Sequence, residues 1–482
     1  MYKINVFHTH TEINDYNPGD CEPLEKMLSI WDSSTFKLST IGFSYDEKDR
    51  RLRIPRGVEL SMLEHWFGVA PNPIYSPDEY DSMSMRITTM PKDDTQRESI
   101  AFLIGEGEYR YTQKYSQLLL NLAPGAGKTY ITSAAMTFFR MKTLIVMHTN
   151  NIKEQWLDTF TNMTDLDPAL ICVIKNSDHV KRLLKSDKNK YKVYLVTHGT
   201  LASYAKRNGW DAVHEFIKHL KIGLKVIDEA HLFFANTMKI DMYSNCKKSI
   251  YLTATFERSD YKEQRLFKTC MKNVVRYGEK QVVSTRKHIM YLALMYNSHP
   301  TLDEQAYMYT LRKFNKNRYS QYTIRCKKFF DALEYVIEFF STKAGKMLIL
   351  TTTIEACGDI RKFVEEKLPY KIIREYHSKI PSNKKEEALD ADIICSTSAS
   401  VGTGTDIPGL RVLINTESYS SRVTADQVSG RLREFNDHDN TYYIELVDTG
   451  FKPTRNMYER RLPVFKKKCK KLATLDFDKL KK

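Results

Sequence analysis

A short glycine-containing segment of this 482-residue chain has the residue types that bind nucleotide phosphates. Gly125 and Gly127 permit a tight turn that aims backbone N–H groups at phosphate oxygens. Lys128 is placed to reach the β- and γ-phosphates of ATP, and the Thr129 hydroxyl to ligate Mg²⁺. Leu122 stands where the usual pattern has its first glycine, so one end of the pattern is broken. The whole segment reads Leu122-Ala123-Pro124-Gly125-Ala126-Gly127-Lys128-Thr129.

A pair of adjacent carboxylates farther along the chain completes the set needed for phosphate cleavage. The box reads Asp228-Glu229-Ala230-His231 and follows the apolar pair Val226-Ile227. We expect Asp228 to hold the magnesium shell and Glu229 to orient the attacking water. Two adjacent acidic residues are common in surface turns, but this pair ends a predicted strand. The functional interpretation is therefore the stronger one.

A glycine–arginine turn near the C-terminus could supply the cation that cleavage requires. Charge develops on the γ-phosphate during hydrolysis, and a positively charged side chain stabilises it. Arg431 is the first candidate and Arg433 the second; an ordinary basic helix surface is the alternative. The turn lies in Gln427-Val428-Ser429-Gly430-Arg431-Leu432-Arg433.

Short β-rich runs alternate with helix-like stretches in two blocks, which predicts an α/β fold with two tandem parallel sheets. The phosphate-binding segment lies between a predicted strand at 118–120 and a predicted helix over 129–140, the arrangement that its chemistry requires. Ligands of such sheets bind at the carboxyl ends of the strands, here in a cleft formed by the two sheets. The other predicted strands are 143–147, 193–197, 224–228 and 249–253, then 347–351, 372–376, 391–395, 411–415 and 442–446.

The ordered motifs resemble those of the superfamily 2 helicases. The segment 122–129 is similar to their motif I, and 228–231 to motif II in its DEAH form. Further similar segments are 91–97 (the Q segment), 152–156 (the stretch after motif Ia), 253–255 (motif III), 401–408 (motif V) and 427–433 (motif VI).

The resemblance implies two RecA-like lobes that bind ATP and Mg²⁺ and move along a nucleic acid. It departs from the family at Glu434, where motif VI usually has its second arginine. It implies adenine recognition by Gln96, nucleotide contact by Asp406, coupling between lobes by His231, Thr253, Thr255 and Gln427, and nucleic-acid phosphate contacts by Thr197, His198, Thr352 and Thr403.

Within the superfamily, the motifs resemble phage branch-migration helicases of the UvsW type. This resemblance implies ATP-driven remodelling of branched or forked DNA without sequence preference, with single-stranded-DNA-binding or recombination proteins as further partners. A transcript-releasing or RNA-directed ATPase of the poxvirus type is the second hypothesis. An inactive DNA-binding scaffold is the third, although a scaffold does not need Lys128, Asp228, Glu229 and Arg431 together.

The motifs divide the chain into three predicted parts. Residues 1–85 form a small α+β accessory domain, 86–283 the ATP-binding lobe, and 284–482 the second lobe with a basic C-terminal tail. In the accessory domain, 43–54 reads as a hairpin with arginines that include Arg51 and Arg53. Arginine clusters suit phosphate, but a solvated hairpin packed on the first lobe is an equal alternative.

The composition bounds the cellular setting. The net charge of +15 favours a polyanionic partner once a phosphate-driven motor is inferred. The eight cysteines are scattered and indicate neither a zinc site nor a disulfide framework. No apolar run approaches the roughly 18 residues of a membrane span. We therefore expect a monomer in a reducing cytoplasm, that of the host if the protein is viral or phage-encoded, without a membrane partner.

Two basic segments remain open. The stretch 311–319 interleaves cations with aromatic residues, as single-strand binders do, but at helical spacing the aromatics could equally belong to a core. The lysine-rich stretch 465–471 is interpreted as an exposed helix end or tail that could add nonspecific DNA affinity.

Overall fold

The computed structural model divides into two units, Met1–Lys280 and Gln281–Lys482. It describes residues 2–32, 37–74, 76–123, 125–148, 151–186, 190–254, 261–278, 286–310, 313–343, 345–401, 407–432 and 440–480.

The first unit begins with a five-stranded sheet of order β5-β6-β2-β1-β7 and a separate β3-β4 ribbon. Strands β5 and β6 pair antiparallel, with Ser44 opposite Arg53, which confirms the predicted hairpin. A short helix over Leu60–Phe67 follows the hairpin. The elements are β1 Lys3–Val6, β2 His10–Asn14, α1 Glu22–Met27, β3 Ser29–Asp32, β4 Lys37–Ile41, β5 Ser44–Asp46, β6 Arg51–Pro55, α2 Leu60–Phe67 and β7 Asn72–Pro73.

A seven-stranded sheet follows, in which every neighbouring pair is parallel and the order is β10-β11-β9-β12-β13-β8-β14. Its strands are β8 Gln117–Asn121, β9 Thr143–Met147, β10 Ile171–Val173, β11 Val193–Thr197, β12 Leu224–Ile227, β13 Lys248–Thr253 and β14 Val275–Tyr277. Its helices are α3 Asp94–Ile104, α4 Lys128–Phe139, α5 Asn151–Met163, α6 Ser177–Leu184, α7 His198–Asn208, α8 Trp210–His219, α9 Phe234–Met242 and α10 Tyr261–Cys270, with 3₁₀ segments Gly107–Lys114 and Pro168–Leu170.

Side chains alternate along each strand and so point to both faces of this sheet, and a hydrophobic core covers each face. In β8, Leu118 and Leu120 enter one hydrophobic core, and Leu119 enters the other. The core that contains Leu119 also contains Ile13 and Leu52 of the N-terminal sheet. The N-terminal segment therefore shares a core with one face of the lobe 1 sheet.

The second unit contains another parallel seven-stranded sheet, of order β19-β20-β18-β21-β22-β15-β23. Its strands are β15 Arg286–Tyr296, β18 Lys346–Thr351, β19 Ile373–Tyr376, β20 Ile393–Thr397, β21 Leu410–Asn415, β22 Thr441–Asp448 and β23 Cys469–Asp476; a hairpin of β16 Tyr309–Thr310 and β17 Lys313–Phe314 lies outside it. The helices are α11 Leu302–Tyr307, α12 Lys316–Thr323, α13 Lys327–Ser341, α14 Ile354–Lys367, α15 Ser382–Leu389, α16 Ser398–Val401, α17 Arg422–Ser429, α18 Lys452–Lys468 and α19 Phe477–Leu480.

Of the two interpretations of the lysine-rich stretch 465–471, the exposed helix end is confirmed and the basic C-terminal tail is wrong. Helix α18 ends at Lys468, and the chain continues as β23, an edge strand that pairs in parallel with β15. Lys468 itself forms an ion pair with Asp426 of α17. The exposed lysines of this segment suit a sheet edge, where charge discourages pairing with another chain.

Both aromatic residues of the 311–319 stretch pack in or against a core cluster. Tyr319 is buried in a small cluster with Met308 and Phe451, and Phe314 packs against that cluster. The core interpretation is therefore confirmed for these two rings. Leu311 and Arg312 lie outside the described residues.

Within the described part of the chain, no helix is both long enough and apolar enough to cross a membrane.

A buried ion pair stabilises the second unit from inside. Glu445 of β22 and Arg461 of α18 are almost fully buried and form a salt bridge. The Arg461 guanidinium also lies 4.4 Å from the centre of the Tyr419 ring. The Asn415 side chain donates a 3.4 Å hydrogen bond to Glu445. Removing one member of such a pair leaves the other charge buried without compensation.

We predict that Arg461→Ala destabilises the second unit by about 3–5 kcal/mol, since Glu445 is left without its cation. The exposed neighbour Arg460 provides the matched control, and Arg460→Ala should stay within about 0.5 kcal/mol of the parent. Chemical denaturation gives the free energies, and hydrogen exchange of β22 amides assigns the loss to this unit. Equal stability of the two variants would contradict a structural role for the pair.

Candidate nucleotide site

The phosphate-binding segment joins β8 to α4, as its chemistry requires. Gly125 and Gly127 have φ angles of 81° and 83°, in the left-handed region that favours glycine. Gly127 caps α4, whose first residues are Lys128 and Thr129. The helix therefore presents its positive end and free backbone N–H groups where phosphate is expected. Pro124 lies outside the described residues.

Gln96 connects the upstream Q segment to the phosphate loop. Its side chain is buried, accepts from the Lys92 backbone N–H at 3.0 Å, and donates to the Ala126 carbonyl at 3.2 Å. A Cβ atom added at Gly127 would lie only 2.4 Å from the Gln96 side-chain nitrogen. Gly127 is thus required both by its φ angle and by the close approach of Gln96.

Lys128 and the carboxylate box meet at the carboxyl edge of the lobe 1 sheet. The Lys128 ammonium donates to the Leu122 carbonyl at 3.1 Å and lies 3.9 Å from a Glu229 carboxylate oxygen. Thr129 is buried at the start of α4. These side chains come from two separate segments of the chain, after β8 and after β12.

Asp228 is a buried carboxylate whose orientation is fixed by two hydrogen bonds. It accepts from the Trp156 indole N–H at 3.0 Å and from the Glu229 backbone N–H at 2.9 Å. Burial raises the pKa of Asp228 to about 6, and the Glu229 charge adds to the rise; Trp156 and Lys128 act in the opposite direction. A divalent cation would remove this penalty, so the residue fits a magnesium site.

The role of Trp156 was not predicted from the sequence. The Gln155-Trp156 pair of the segment after motif Ia is the feature of the sequence that could have indicated this role. Trp156 is fully buried and belongs to α5, so this helix positions the Asp228 carboxylate.

Glu229 occupies a strained backbone position. Its φ of 49° lies in the left-handed region, which a residue with a side chain rarely adopts. Strain of this kind concentrates at functional sites, where surrounding contacts enforce it. One oxygen of Glu229 lies 3.9 Å from Lys128 and the other 3.3 Å from His231 Nδ1. The carboxylate is thus held between a cation and an imidazole, which suits a group that positions water.

His231 and Thr253 are in contact, as the coupling assignment requires. The Thr253 hydroxyl and His231 Nδ1 are 2.9 Å apart, and both side chains are buried. This bond joins the ends of the neighbouring strands β12 and β13. Thr255 lies outside the described residues.

Thr197 and His198, the two residues of lobe 1 predicted to contact nucleic acid, both make contacts within the protein. Thr197 caps α7 by accepting from the Thr200 backbone N–H at 3.1 Å. His198 is buried beneath Phe233, with 5.6 Å between ring centres. Burial lowers the pKa of His198 to about 3, and nearby His148 lowers it further, so the ring is neutral.

The accessory arginines are engaged by carboxylates. Arg53 is buried and forms ion pairs of 2.9 Å with both Glu12 and Asp211. Arg51 lies 2.9 Å from Asp49 and 3.7 Å from Glu12. The expectation that Arg53 grips DNA phosphate is not compatible with this burial. The sequence reading missed its partners because Asp211 is far away along the chain.

The candidate residues of the second unit are only partly described. Thr352 follows β18 and is half-buried, and Arg431 follows the end of α17 and is half-buried. The backbone of Gln427 lies in α17. Thr403, Asp406, Arg433 and Glu434 lie outside the described residues.

Comparison with known proteins agrees with this arrangement. Residues 89–258 match the family model ResIII, described as type III restriction enzyme, res subunit. The transcript termination protein A18 of Fowlpox virus (strain NVSL) is 22% identical over 353 residues, which cover 70% of this chain and 68% of that protein.

Solved structures of similar fold come from several functional classes. LlaBIII, an ATP-dependent type ISP restriction-modification enzyme bound to DNA, gives a TM-score of 0.54 at 15% identity. It covers 81% of this chain, which spans only 32% of that protein. Dbp5 of S. cerevisiae, bound to RNA and ADP BeF3, gives 0.53 at 15% identity over 80% of this chain and 90% of its own.

Phage T4 UvsW aligns over 98% of this chain and 99% of its own at 15% identity, with a TM-score of 0.36 that is too low to support a shared function. The family match covers residues 89–258, which include six of the seven strands of the first parallel sheet. Residues 89–258 are therefore similar to the ResIII family, and the chain, with its two parallel seven-stranded sheets, has a fold similar to those of LlaBIII and Dbp5.

Proposed function

We propose that this protein is a nucleic-acid-dependent ATPase that converts ATP hydrolysis into movement along DNA. The observation that carries the proposal is the convergence of Lys128, Asp228 and Glu229 beside a helix N-terminus at one edge of a parallel sheet. Phosphate, metal and water are the three species that these side chains suit.

The residues present fit ATP and Mg²⁺. The positive-φ glycines and the start of α4 suit a polyphosphate, and Lys128 would neutralise its charge. Thr129 and Asp228 supply the oxygen ligands that magnesium prefers. When bound, the metal neutralises developing charge on the phosphates. Glu229 would orient the attacking water, Gln96 would recognise adenine, and Asp406 would contact the nucleotide.

We assign the charge-stabilising cation to Arg431, with Arg433 as the second candidate. His231 and Thr253 would transmit the state of the nucleotide, since their hydrogen bond links the strand that precedes the carboxylate box to its neighbour. Thr255 and Gln427 would take part in the same coupling.

DNA is the proposed track, and contacts to its phosphates would be independent of sequence. The net charge of +15 supports a polyanionic partner. Thr352 and Thr403 would contact phosphates from the second unit. The finer proposal is remodelling of branched or forked DNA, which the UvsW-like motif style supports.

Release of transcripts is the second candidate function. The sequence relative from Fowlpox virus is named a transcript termination protein and matches 70% of this chain. The same ATPase site would then act on a transcription complex, so the two candidates differ in substrate and share the chemistry.

We predict that Glu229→Gln lowers the ATP turnover number by at least 100-fold while ATP binding persists, since the amide cannot assist the water. Lys128→Ala should weaken binding of the nucleotide itself. Glu215→Gln, an exposed change on α8, is the control and should match the parent. Steady-state ATPase rates and equilibrium binding of a fluorescent ATP analogue separate the two effects. Normal hydrolysis by Glu229→Gln would disprove the assignment of this residue.

Arg431→Ala should lower the ATP turnover number by about 10³-fold. This is the lower end of the range expected for an arginine that stabilises the transition state. Nucleotide affinity should change much less, because the charge that Arg431 stabilises develops during cleavage. Arg422→Ala, an exposed arginine at the start of α17, is the matched control. If Arg433→Ala shows the larger loss, the two arginines exchange roles.

We predict that ATPase activity is stimulated most by four-way junctions and forks, then by linear duplex, and least by RNA. The measurement is the ATPase rate with each nucleic acid at equal nucleotide concentration and fixed salt. Stimulation by RNA alone, or ATP-dependent release of RNA from a stalled transcription complex without junction unwinding, would favour the second candidate. No stimulation by any nucleic acid would contradict both.

A further inference from the structure

A cysteine, a glutamate and a histidine converge in the second unit, and none of them is among the residues assigned above. Cys357 lies in α14, Glu375 in β19, and His377 directly after β19. One potential ligand atom from each side chain lies within 4.8 Å of the other two. The three residues are separated along the chain, so the fold alone brings them together.

Contacts within the cluster already bring a nitrogen and an oxygen ligand atom together. His377 Nε2 lies 2.8 Å from one Glu375 oxygen, and Arg361 donates to the other oxygen at 2.8 Å. His377 Nδ1 is buried and has no hydrogen-bond partner within the described ranges. An ion bound to Nε2 takes the place of the ring proton, which moves to Nδ1, and it would then lie beside the Glu375 oxygen as well.

Charge balance also favours a cation. Glu375 and Glu365 carry two negative charges against one positive charge on Arg361, to which both are paired. The carboxylates and Arg361 together therefore have a net charge of −1. A divalent ion that displaces the thiol proton of Cys357 brings this total to zero. Because these side chains are only partly buried, the negative charge attracts a cation without a large burial cost.

We propose that Cys357, Glu375 and His377 bind a divalent transition-metal ion, best matched by Zn²⁺. A mixed sulfur, nitrogen and oxygen ligand set suits zinc, and thiolate disfavours Mg²⁺ and Ca²⁺. Three protein ligands leave a fourth position for water. Glu375 is partly exposed, which gives the ion a route into the cluster.

Binding releases one proton from Cys357 to solvent, because the thiolate is the ligand. Burial and the Glu375 charge raise the pKa of the Cys357 thiol to about 12. The bound ion would join helix α14 to strand β19 near one edge of the lobe 2 sheet. The proposed effect of the ion is on the stability of the second unit, and the inference does not depend on the proposed ATPase.

Co²⁺ is the probe for this site, because a sulfur-to-cobalt charge-transfer band reports thiolate ligation and ignores the oxygen ligands of the magnesium site. The full-length protein is freed of metal with a chelator and titrated with Co²⁺ and then Zn²⁺. We expect one sulfur-ligated cobalt per chain, loss of the band when zinc displaces it, and a rise in melting temperature with either ion.

Cys357→Ser should abolish the band, and Cys326→Ser, a half-buried cysteine outside the cluster, should leave it unchanged. Because loss of the thiol could disturb packing, Glu375→Gln provides a second test and should weaken cobalt binding by roughly 10- to 100-fold with all eight thiols present. Absence of a band in the parent protein would overturn the proposal. An unchanged band in Cys357→Ser, or unchanged affinity in Glu375→Gln, would overturn it as well.

Discussion

Burial of both faces of each parallel sheet is the constraint on which the rest of the structure depends. Along β12 and β13, alternate side chains enter cores on opposite sides, so the strands themselves offer no surface for chemistry. Polar side chains can cluster only where strands end. The adjacent strands β12, β13 and β8 end at the carboxylate box, at Thr253 and at the phosphate loop, respectively. The nucleotide site is therefore a consequence of strand order as much as of motif sequence.

The electrostatics of this edge are incomplete without a ligand. Asp228 is buried, its pKa is raised by that burial, and Trp156, a backbone N–H and Lys128 offset part of the cost. Glu229 adds a second carboxylate and holds a backbone conformation that its neighbours must enforce. Two neighbouring carboxylates repel each other and so destabilise the folded protein. The same pair attracts a phosphate-bound cation, which would relieve the repulsion. Asp228 is directed by hydrogen bonds before any ligand arrives, which reduces reorganisation on binding.

The sequence was informative where one continuous segment contains both the functional residues and the strand that positions them. The phosphate loop and the carboxylate box each follow a continuous apolar run, so their strands and the local geometry were predictable. Strand β23 was not, because its edge position leaves lysines exposed and interrupts the apolar pattern. Arg53 was misread for a related reason: its partners Glu12 and Asp211 are set by strand pairing and tertiary packing, which charge clustering along the chain does not reveal. For the same reason the sequence did not reveal that Cys357 and His377 lie close together.

The contacts of Arg53 also change how the N-terminal segment is understood. Its ion pair with Asp211 links β6 to α8, and the Thr9 hydroxyl bonds to the Ser244 carbonyl beyond α9. Ile13 and Leu52 enter the same core as Leu119 of the first seven-stranded sheet. Removing residues 1–85 would therefore expose part of that core and leave Asp211 without its cation. The segment completes the fold of the first lobe, and a nucleic-acid role for it would have to use exposed residues other than Arg53.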